Sequence, residues 1–391
     1  MTAGPAWSVE RAEGHLASLE RFGMRLGLER MRELLDRLGS PERAYPAIHV
    51  VGTNGKSSTT RYAAALLEAE GLRAAAYLSP HLVRWAERIR IAGEDLAPAA
   101  FAAAVQRAAQ ASAQVGGVSQ FELITGAAFA AFAHAGVDAA VVEAGLGGRL
   151  DATNVLDSRV TVLTSVALEH TEHLGDSLAQ IAREKLAVVR PGSTLVTGPL
   201  PDAAEDEVAR LGVRTVRVPA ASEFRETNLA LAAAAVEAFL GRPLSAPPAT
   251  IPVPGRLEVV SRDPLTLLDG AHNPAGMAAL AAALPIATEG RRPLVGVVSV
   301  LGDKNAEAML AALAPLLDRL VTTRTTNPRA LDPEVLAGLT STPAEVVAVP
   351  PAALTRARAL AGPDGAVLAT GSIHLIADLV APEGSRAPTS Y

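Results

Sequence analysis

The run Val50-Val51-Gly52-Thr53-Asn54-Gly55-Lys56-Ser57-Ser58-Thr59 constrains this chain more than any other. It follows a short apolar stretch, residues 47–51, and opens into Ala- and Leu-rich sequence that ends at Gly71. A strand, a tight glycine turn and a helix in that order converge backbone N–H groups and the positive end of a helix dipole on one anion. Lys56 would reach the outer oxygens of a polyphosphate, and the hydroxyls after it would meet a metal or a phosphate. The usual phosphate-loop spacing has a glycine five residues ahead of the Gly-Lys pair, where this chain has Val50. The nearer glycine is Gly52, so the loop is a shortened variant. A glycine turn that only caps a helix is the plain alternative; a nucleotide site is the stronger reading.

A phosphate loop needs a folded domain around it, and 391 residues are enough for two domains of roughly 100–200 residues each. Hydrophobic residues make up 49% and charged residues 19%, the profile of packed domains rather than of a disordered chain. A net charge of −6, with no Lys/Arg-rich run and 3% aromatics, argues against a nucleic-acid partner. The absence of cysteine removes disulfides, thiolate zinc sites and thiol catalysis together and fits a reducing compartment. Residues 1–20 carry Glu10, Arg11, Glu13 and Glu20 and no signal-type apolar core, and no apolar run has the length of a membrane span. A cytoplasmic enzyme with no membrane partner, acting as a monomer, is the expectation.

Residues 8–38 read as a helical lead-in, with Leu16, Leu19, Phe22, Met31, Leu34, Leu35 and Leu38 at helical spacing. Residues 23–28 interrupt it with two glycines, as a plain break or as a loop facing the phosphates. After the helix at 57–70, residues 73–78 read as a strand ending at Ser79-Pro80-His81. That puts Ser79 on the edge where open α/β sheets bind ligands. Residues 97–113 and 121–134 predict helices, and 138–143 predict a buried strand ending in Glu143, an acid suited to hold Mg²⁺. The glycine-rich polar run 146–154 suits a substrate loop.

The strand at 160–166 delivers Glu169-His170-Thr171-Glu172-His173. Zinc is disfavoured there for want of a third nitrogen or a cysteine. One histidine beside hard oxygens on a second magnesium, or a capped helix start, remain. Residues 177–189 are amphipathic, with Arg183, Glu184 and Lys185 on the polar side, which by pattern alone leaves Lys185 solvated. A helix over 227–240 starts after Asn228, and residues 242–254 then hold five prolines, a domain boundary. Beyond it the α/β rhythm restarts, with strands at 265–268, 294–300, 320–323, 344–349 and 366–369. A cleft between two such sheet edges is the expected ligand site. After Pro382 the tail is small and polar, and disorder is expected.

Taken together, these blocks resemble the Mur ligase superfamily and, within it, the folylpolyglutamate synthase/dihydrofolate synthase family. The resemblance runs from about Leu16 to Leu379. It rests on Leu26-Gly-Leu-Glu-Arg30, Gly52-Thr-Asn-Gly-Lys56, Ser79-Pro-His-Leu82, Glu87-Arg-Ile89, Phe121-Glu122, residues 143–154 (EAGLGGRLDATN), His170-Thr, Arg183-Glu-Lys185, Pro254-Gly-Arg256 and Asp269-Gly-Ala-His-Asn-Pro274. It implies an α/β fold. Residues 1–250 would form a P-loop-type Mur ligase central domain, a parallel-type sheet flanked by helices. Residues 251–382 would form a smaller Rossmann-like C-terminal glutamate-ligase domain, and 383–391 a tail.

Carried over residue by residue, Thr53, Asn54, Gly55, Lys56 and Ser57 would bind the phosphates of ATP. Asn228, Arg256 and Asp269 would hold the nucleotide from its other side. Ser79, Glu143 and His170 would hold two Mg²⁺ ions, and Lys185 matches a family lysine that is carbamylated into an anionic metal ligand. A monovalent cation is a further candidate. Leu26, Gly27 and Leu28, with Ser119, Gln120, Phe121 and Glu122, and Leu150, Asp151 and Ala152, would contact the pterin substrate. His272, in the loop of Asp269, would line the nucleotide cleft, which makes Lys56, Lys185, His170 and His272 the candidate catalytic residues; Asp303 and Lys304 are secondary candidates. Three positions depart from the family pattern: Ser57 replaces a usual glycine, Glu169 replaces a usual aspartate, and the segment between Pro199 and Asn228 is short.

The implied reaction moves the ATP γ-phosphoryl group to a pteroate or folate carboxylate, and L-glutamate then attacks the acyl phosphate. Closure of the second domain about 242–254 would exclude water from that intermediate. A cell-wall precursor ligase is disfavoured, because only 51 residues precede Gly52, too few for the additional N-terminal domain those proteins carry. A related ligase acting on another acid, or a non-catalytic ATP-binding regulator, are the alternatives.

Overall fold

The structure is a computed structural model that describes residues 5–19 and 27–381. Leu26, much of the expected glycine interruption and the tail 383–391 lie outside the described residues. Two compact units are built, Met1–Thr250 and Ile251–Tyr391.

The first unit starts with helices α1 (Val9–Ser18) and α2 (Glu29–Leu38), followed by β1 (Ala47–Val51) and α3 (Lys56–Ala69). Then come β2 (Ala74–Tyr77), β3 (Ile89–Ile91), β4 (Glu94–Asp95), α4 (Pro98–Ser112), α5 (Gln120–Ala135), β5 (Ala139–Glu143) and β6 (Val160–Leu163). The unit closes with α6 (Thr171–Leu174), α7 (Leu178–Leu186), β7 (Thr194–Thr197), α8 (Asp202–Leu211), β8 (Arg214–Arg217) and α9 (Phe224–Leu240). Its sheet runs β4-β3-β2-β5-β1-β6-β7-β8, parallel from β2 to β8, with β3 and β4 antiparallel.

The central strands β1 and β5 are buried at every position. Helices cover both faces of such a sheet, so its strands are continuous apolar runs rather than alternating ones. One face packs Leu34, Phe129, Phe132 and Tyr77 with α4 and α5; the other packs Val51, Leu163, Ile181 and Leu195 under α7 and α8. The register pairs Val50 with Glu143, so the phosphate loop and the strand-end acid leave the sheet side by side.

The second unit holds β9 (Glu258–Arg262), β10 (Leu265–Leu268), α10 (Pro274–Ala287), β11 (Leu294–Val298), α11 (Ala306–Leu313), β12 (Arg319–Thr322), α12 (Pro333–Gly338), β13 (Ala344–Val346), α13 (Pro350–Ala361), β14 (Ala366–Thr370) and α14 (Ile373–Val380). Its order is β13-β12-β11-β14-β10-β9, with only β9 antiparallel. The α/β class expected from the sequence is therefore present twice. One boundary moves: α9 starts at Phe224, so Asn228 lies inside the helix instead of ahead of it. The polar first turn Arg225-Glu226-Thr227 hides that start from an apolar pattern. No described helix is long and apolar enough to cross a membrane.

Candidate active site

The phosphate loop is shaped by its neighbours as much as by its own glycines. Helix α3 opens at Gly55, in the left-handed region at φ 86°, with no side chain capping it. Any Cβ at Gly55 would lie 2.4 Å from Asn228 Oδ1, so the turn is both left-handed and pressed against α9. From the other side the residues after β6 hold the loop. Thr164 Oγ1 donates to the Asn54 carbonyl at 2.6 Å, and Ser165 Oγ donates to it at 3.1 Å. The Thr53 N–H donates to the Ser165 carbonyl at 2.9 Å, and the Ala167 N–H to Thr53 Oγ1 at 3.1 Å. The uncapped helix start therefore sits in a fixed frame, as an anion site requires.

Both candidate lysines converge on that frame. Lys56 Nζ donates to the carbonyls of Gly52 at 3.1 Å and Thr53 at 3.3 Å, and Lys185 Nζ donates to Gly52 at 2.9 Å. Lys185 is only 4% exposed, which rules out the solvated place that the polar side of its pattern allowed. It lies one turn after Ile181 and beside Leu186 on the buried stripe Ile181-Ala182-Lys185-Leu186. Burial, and then the charge of Lys56, push its amine down to about 7, while Glu169 and Asp151 work the other way.

Glu143, 1% exposed, ends β5 between two sequence-predicted partners. Ser57 Oγ donates to its Oε1 at 2.9 Å, and the Ser79 backbone N–H donates to its Oε2 at 3.1 Å. One carboxylate with the Ser57 hydroxyl on it and the Ser79 backbone alongside begins a hard oxygen set, the kind that suits a small divalent cation. Among the described residues no group of three or more His, Asp or Glu gathers into a ready-made cage. His170 stands on the same edge, at the head of α6, with its side chain 40% exposed and Glu169 Oε1 3.8 Å from its Nε2.

The expected substrate segments divide by what their side chains already do. Ser119 and Glu122 form the capping box of α5, Glu122 also faces Arg30 at 3.5 Å, and Gln120 Nε2 donates to the Leu16 carbonyl at 2.8 Å. Phe121 lies over Gly145. Leu28 is buried at the head of α2 beside Gly27. Asp151 is buried, taking N–H groups from Leu146 at 2.8 Å and Thr153 at 3.0 Å; burial raises its carboxyl against those bonds. Ala152 is buried next to it, and Leu150, 45% exposed, is the apolar side chain this loop offers to solvent.

In the second unit Asp269 is buried and takes N–H groups from Leu257 at 2.9 Å and Ala271 at 2.8 Å. Burial raises its carboxyl, and the charges of Arg256 and His272 oppose that. Arg256 packs against Gly270, whose carbonyl lies 2.9 Å from His272 Nδ1. Asp303 pairs with Lys304 at 3.6 Å and Arg329 at 3.5 Å. Sequence reasoning missed Thr164, Ser165 and His49. A hydroxyl pair closing β6 and a histidine inside an apolar strand were the available signals.

A phosphate loop, a buried strand-end acid and a second α/β unit define the class of Mur-type ligases, and residues 255–373 match the Mur ligase glutamate ligase domain. The dihydrofolate synthase/folylpolyglutamate synthase of Mycobacterium tuberculosis is 38% identical over 381 residues, covering 79% of this chain and 76% of that protein. The structure of Escherichia coli FolC in complex with DHPP and ADP matches with a TM-score of 0.87 at 30% identity, covering 96% of this chain and 97% of that one. A Yersinia pestis bifunctional folylpolyglutamate synthase/dihydrofolate synthase with Mn, AMPPNP and L-glutamate bound matches with a TM-score of 0.82 at 30% identity, covering 96% and 98%. The chain belongs to the dihydrofolate synthase/folylpolyglutamate synthase family.

Proposed function

We propose that this chain is an ATP-dependent ligase that joins L-glutamate to the carboxylate of a pteroate or folate, through an acyl phosphate. The observation that carries the reading is the meeting of Lys56, Ser57, Ser79, Glu143 and Lys185 around one pinned phosphate loop.

A carboxylate is a poor acyl donor, because its charge repels nucleophiles and its oxygen leaves badly. Moving the γ-phosphoryl group of ATP onto it cures both, and the glutamate amine then attacks the acyl carbon and expels phosphate. The open N-terminus of α3 and the Lys56 ammonium would spread the charge of that transfer. Glu143, with the hydroxyls of Ser57 and Ser79 and with His170, would hold Mg²⁺. Bound there, the ion would neutralise phosphate oxygens and orient them for in-line transfer. Lys185, whose amine is neutral in a substantial fraction at pH 7, is suited to take up CO₂ as a carbamate and so present oxygen instead of a cation. Asn228 would border the nucleotide beside Gly55. The exposed Leu150 and the half-buried Phe121 would meet the pterin.

Mass identification of products decides the reading, after incubation with ATP, glutamate and either dihydropteroate or tetrahydrofolate. A product heavier by one glutamyl residue, formed with ADP and phosphate, is expected. No acid-dependent ADP with any pterin acid would leave an ATP-binding regulator instead.

A further inference from the structure

Strand β1 runs through the middle of the first sheet, and His49 is its one polar side chain. The ring is fully buried, with Nε2 2.8 Å from Thr153 Oγ1. The Thr153 hydroxyl in turn donates to Asp151 Oδ1. A hydroxyl has a single proton, and with that proton committed to the carboxylate its oxygen can only accept from His49. The ring must therefore carry its hydrogen on Nε2. Burial, with a smaller push from Arg190, lowers its pKa to about 3, so one proton is all it holds at neutral pH. Among the described residues Nδ1 has no hydrogen-bond partner.

The chain of donors ends where the glycine-rich loop begins and ends. Asp151 Oδ2 accepts the Leu146 N–H and Oδ1 the Thr153 N–H, so one carboxylate ties both ends of residues 146–153. Arg190 clamps the far side through the carbonyls of Asn154 at 2.6 Å and Leu156 at 3.0 Å. As core filler, a valine would serve at position 49 without burying two ring nitrogens, one of them unsatisfied.

We propose that His49 is a positioning residue for the acid substrate. Its Nε2–H, relayed through Thr153 and Asp151, fixes the 146–153 loop in the shape that receives the pterin acid. The role in catalysis rests on the ligase reading above; the proton arrangement does not.

Nitrogen-15 NMR of the full chain labelled on histidine tests the arrangement without any turnover. At pH 7 the His49 ring, assigned by its loss in His49→Gln, is expected in the Nε2–H form. An Nδ1–H ring overturns the inference, whatever reaction the protein performs. Kinetics test the consequence. His49→Phe keeps a ring and deletes the donor, and the KM for the pterin acid should rise about tenfold, the worth of one hydrogen bond. The KM for ATP should stay within about twofold, since the phosphate loop is held by Thr164 and Ser165 instead. His49→Gln, with an amide donor near the same point, should restore most of the loss. Thr153→Val removes the middle of the relay and should give the same split if His49→Phe does not fold. An unchanged acid KM, or equal rises for both substrates, overturns the role.

Discussion

Lys56 and Lys185 approach the same carbonyl, that of Gly52, yet only Lys185 is buried. Their losses should therefore look different. Lys56→Ala removes a charge aimed at the phosphates and should lower kcat by about 10²–10³, the range for deleting one preorganised donor. Phosphate release at saturating ATP measures it, and an unchanged rate would return Lys56 to a helix-capping role. Lys185→Met removes an amine that burial and Lys56 both destabilise as a cation. It should raise Tm by about 2–4 °C, the shift expected for about 1 kcal/mol in a unit of this size, while activity is lost. Lys185→Ala should regain part of its activity with acetate or another short carboxylate; full activity in Lys185→Met would leave the residue as packing. At this scale the sequence was half legible. Lys56, Ser57, Ser79 and Glu143 stood out because each follows a strand, and the structure joins the last three by hydrogen bonds. Lys185 misled because a charged letter among Arg183 and Glu184 reads as solvent-facing, whereas its position one turn from Ile181 turns it inward.

Among the elements, the 145–154 loop and α7 fit so closely that a single methyl group should part them. A Cβ at Gly148 would sit 2.6 Å from the Glu184 carbonyl and 2.7 Å from that of Lys185, both backbone atoms that cannot swing aside. Gly148→Ala should destabilise the chain by about 1–3 kcal/mol, as overpacking does, and should lower kcat by about tenfold or more by displacing Lys185. Denaturant melts and turnover together check it; wild-type values for both would mean that the loop yields freely. The long buried strands were legible as elements for the same reason this contact is tight: apolar runs such as 139–143 must be covered on both faces. The strands β3, β4, β7, β8 and β9 were not. β3 and β4 are only three and two residues long, β8 and β9 are edge strands with exposed positions such as Val259 and Val260, and the buried β7 is just Leu195 and Val196 between two threonines. The short stretch after Pro199 proves to hold a helix and one such edge strand, α8 and β8.

Across the whole molecule, each of the two units closes its own sheet and buries its own strands, and the chain between α9 and β9 is of a different kind. Residues 241–252 are exposed apart from a half-buried Leu244, and the segment holds Pro243, Pro247, Pro248 and Pro252, with Pro254 just beyond it. Proline removes the N–H groups a sheet would need, so nothing in this stretch can be recruited into either β-structure. Proteases cleave where backbone is exposed and outside regular structure, which the cores of β1, β5, β10 and β14 are not. Brief digestion of the native chain with chymotrypsin or elastase should therefore cut first between Leu244 and Ile251, at bonds not followed by proline. The products should be two resistant fragments near 1–250 and 251–391 in mass. First cuts inside either sheet, or steady decay with no intermediate fragments, would mean that the two units do not hold their structure to the degree their buried strands imply. Repeating the digestion with Gly148→Ala separates local from global effects. A destabilisation confined to the first unit should shorten the life of the larger fragment and leave that of the smaller one unchanged.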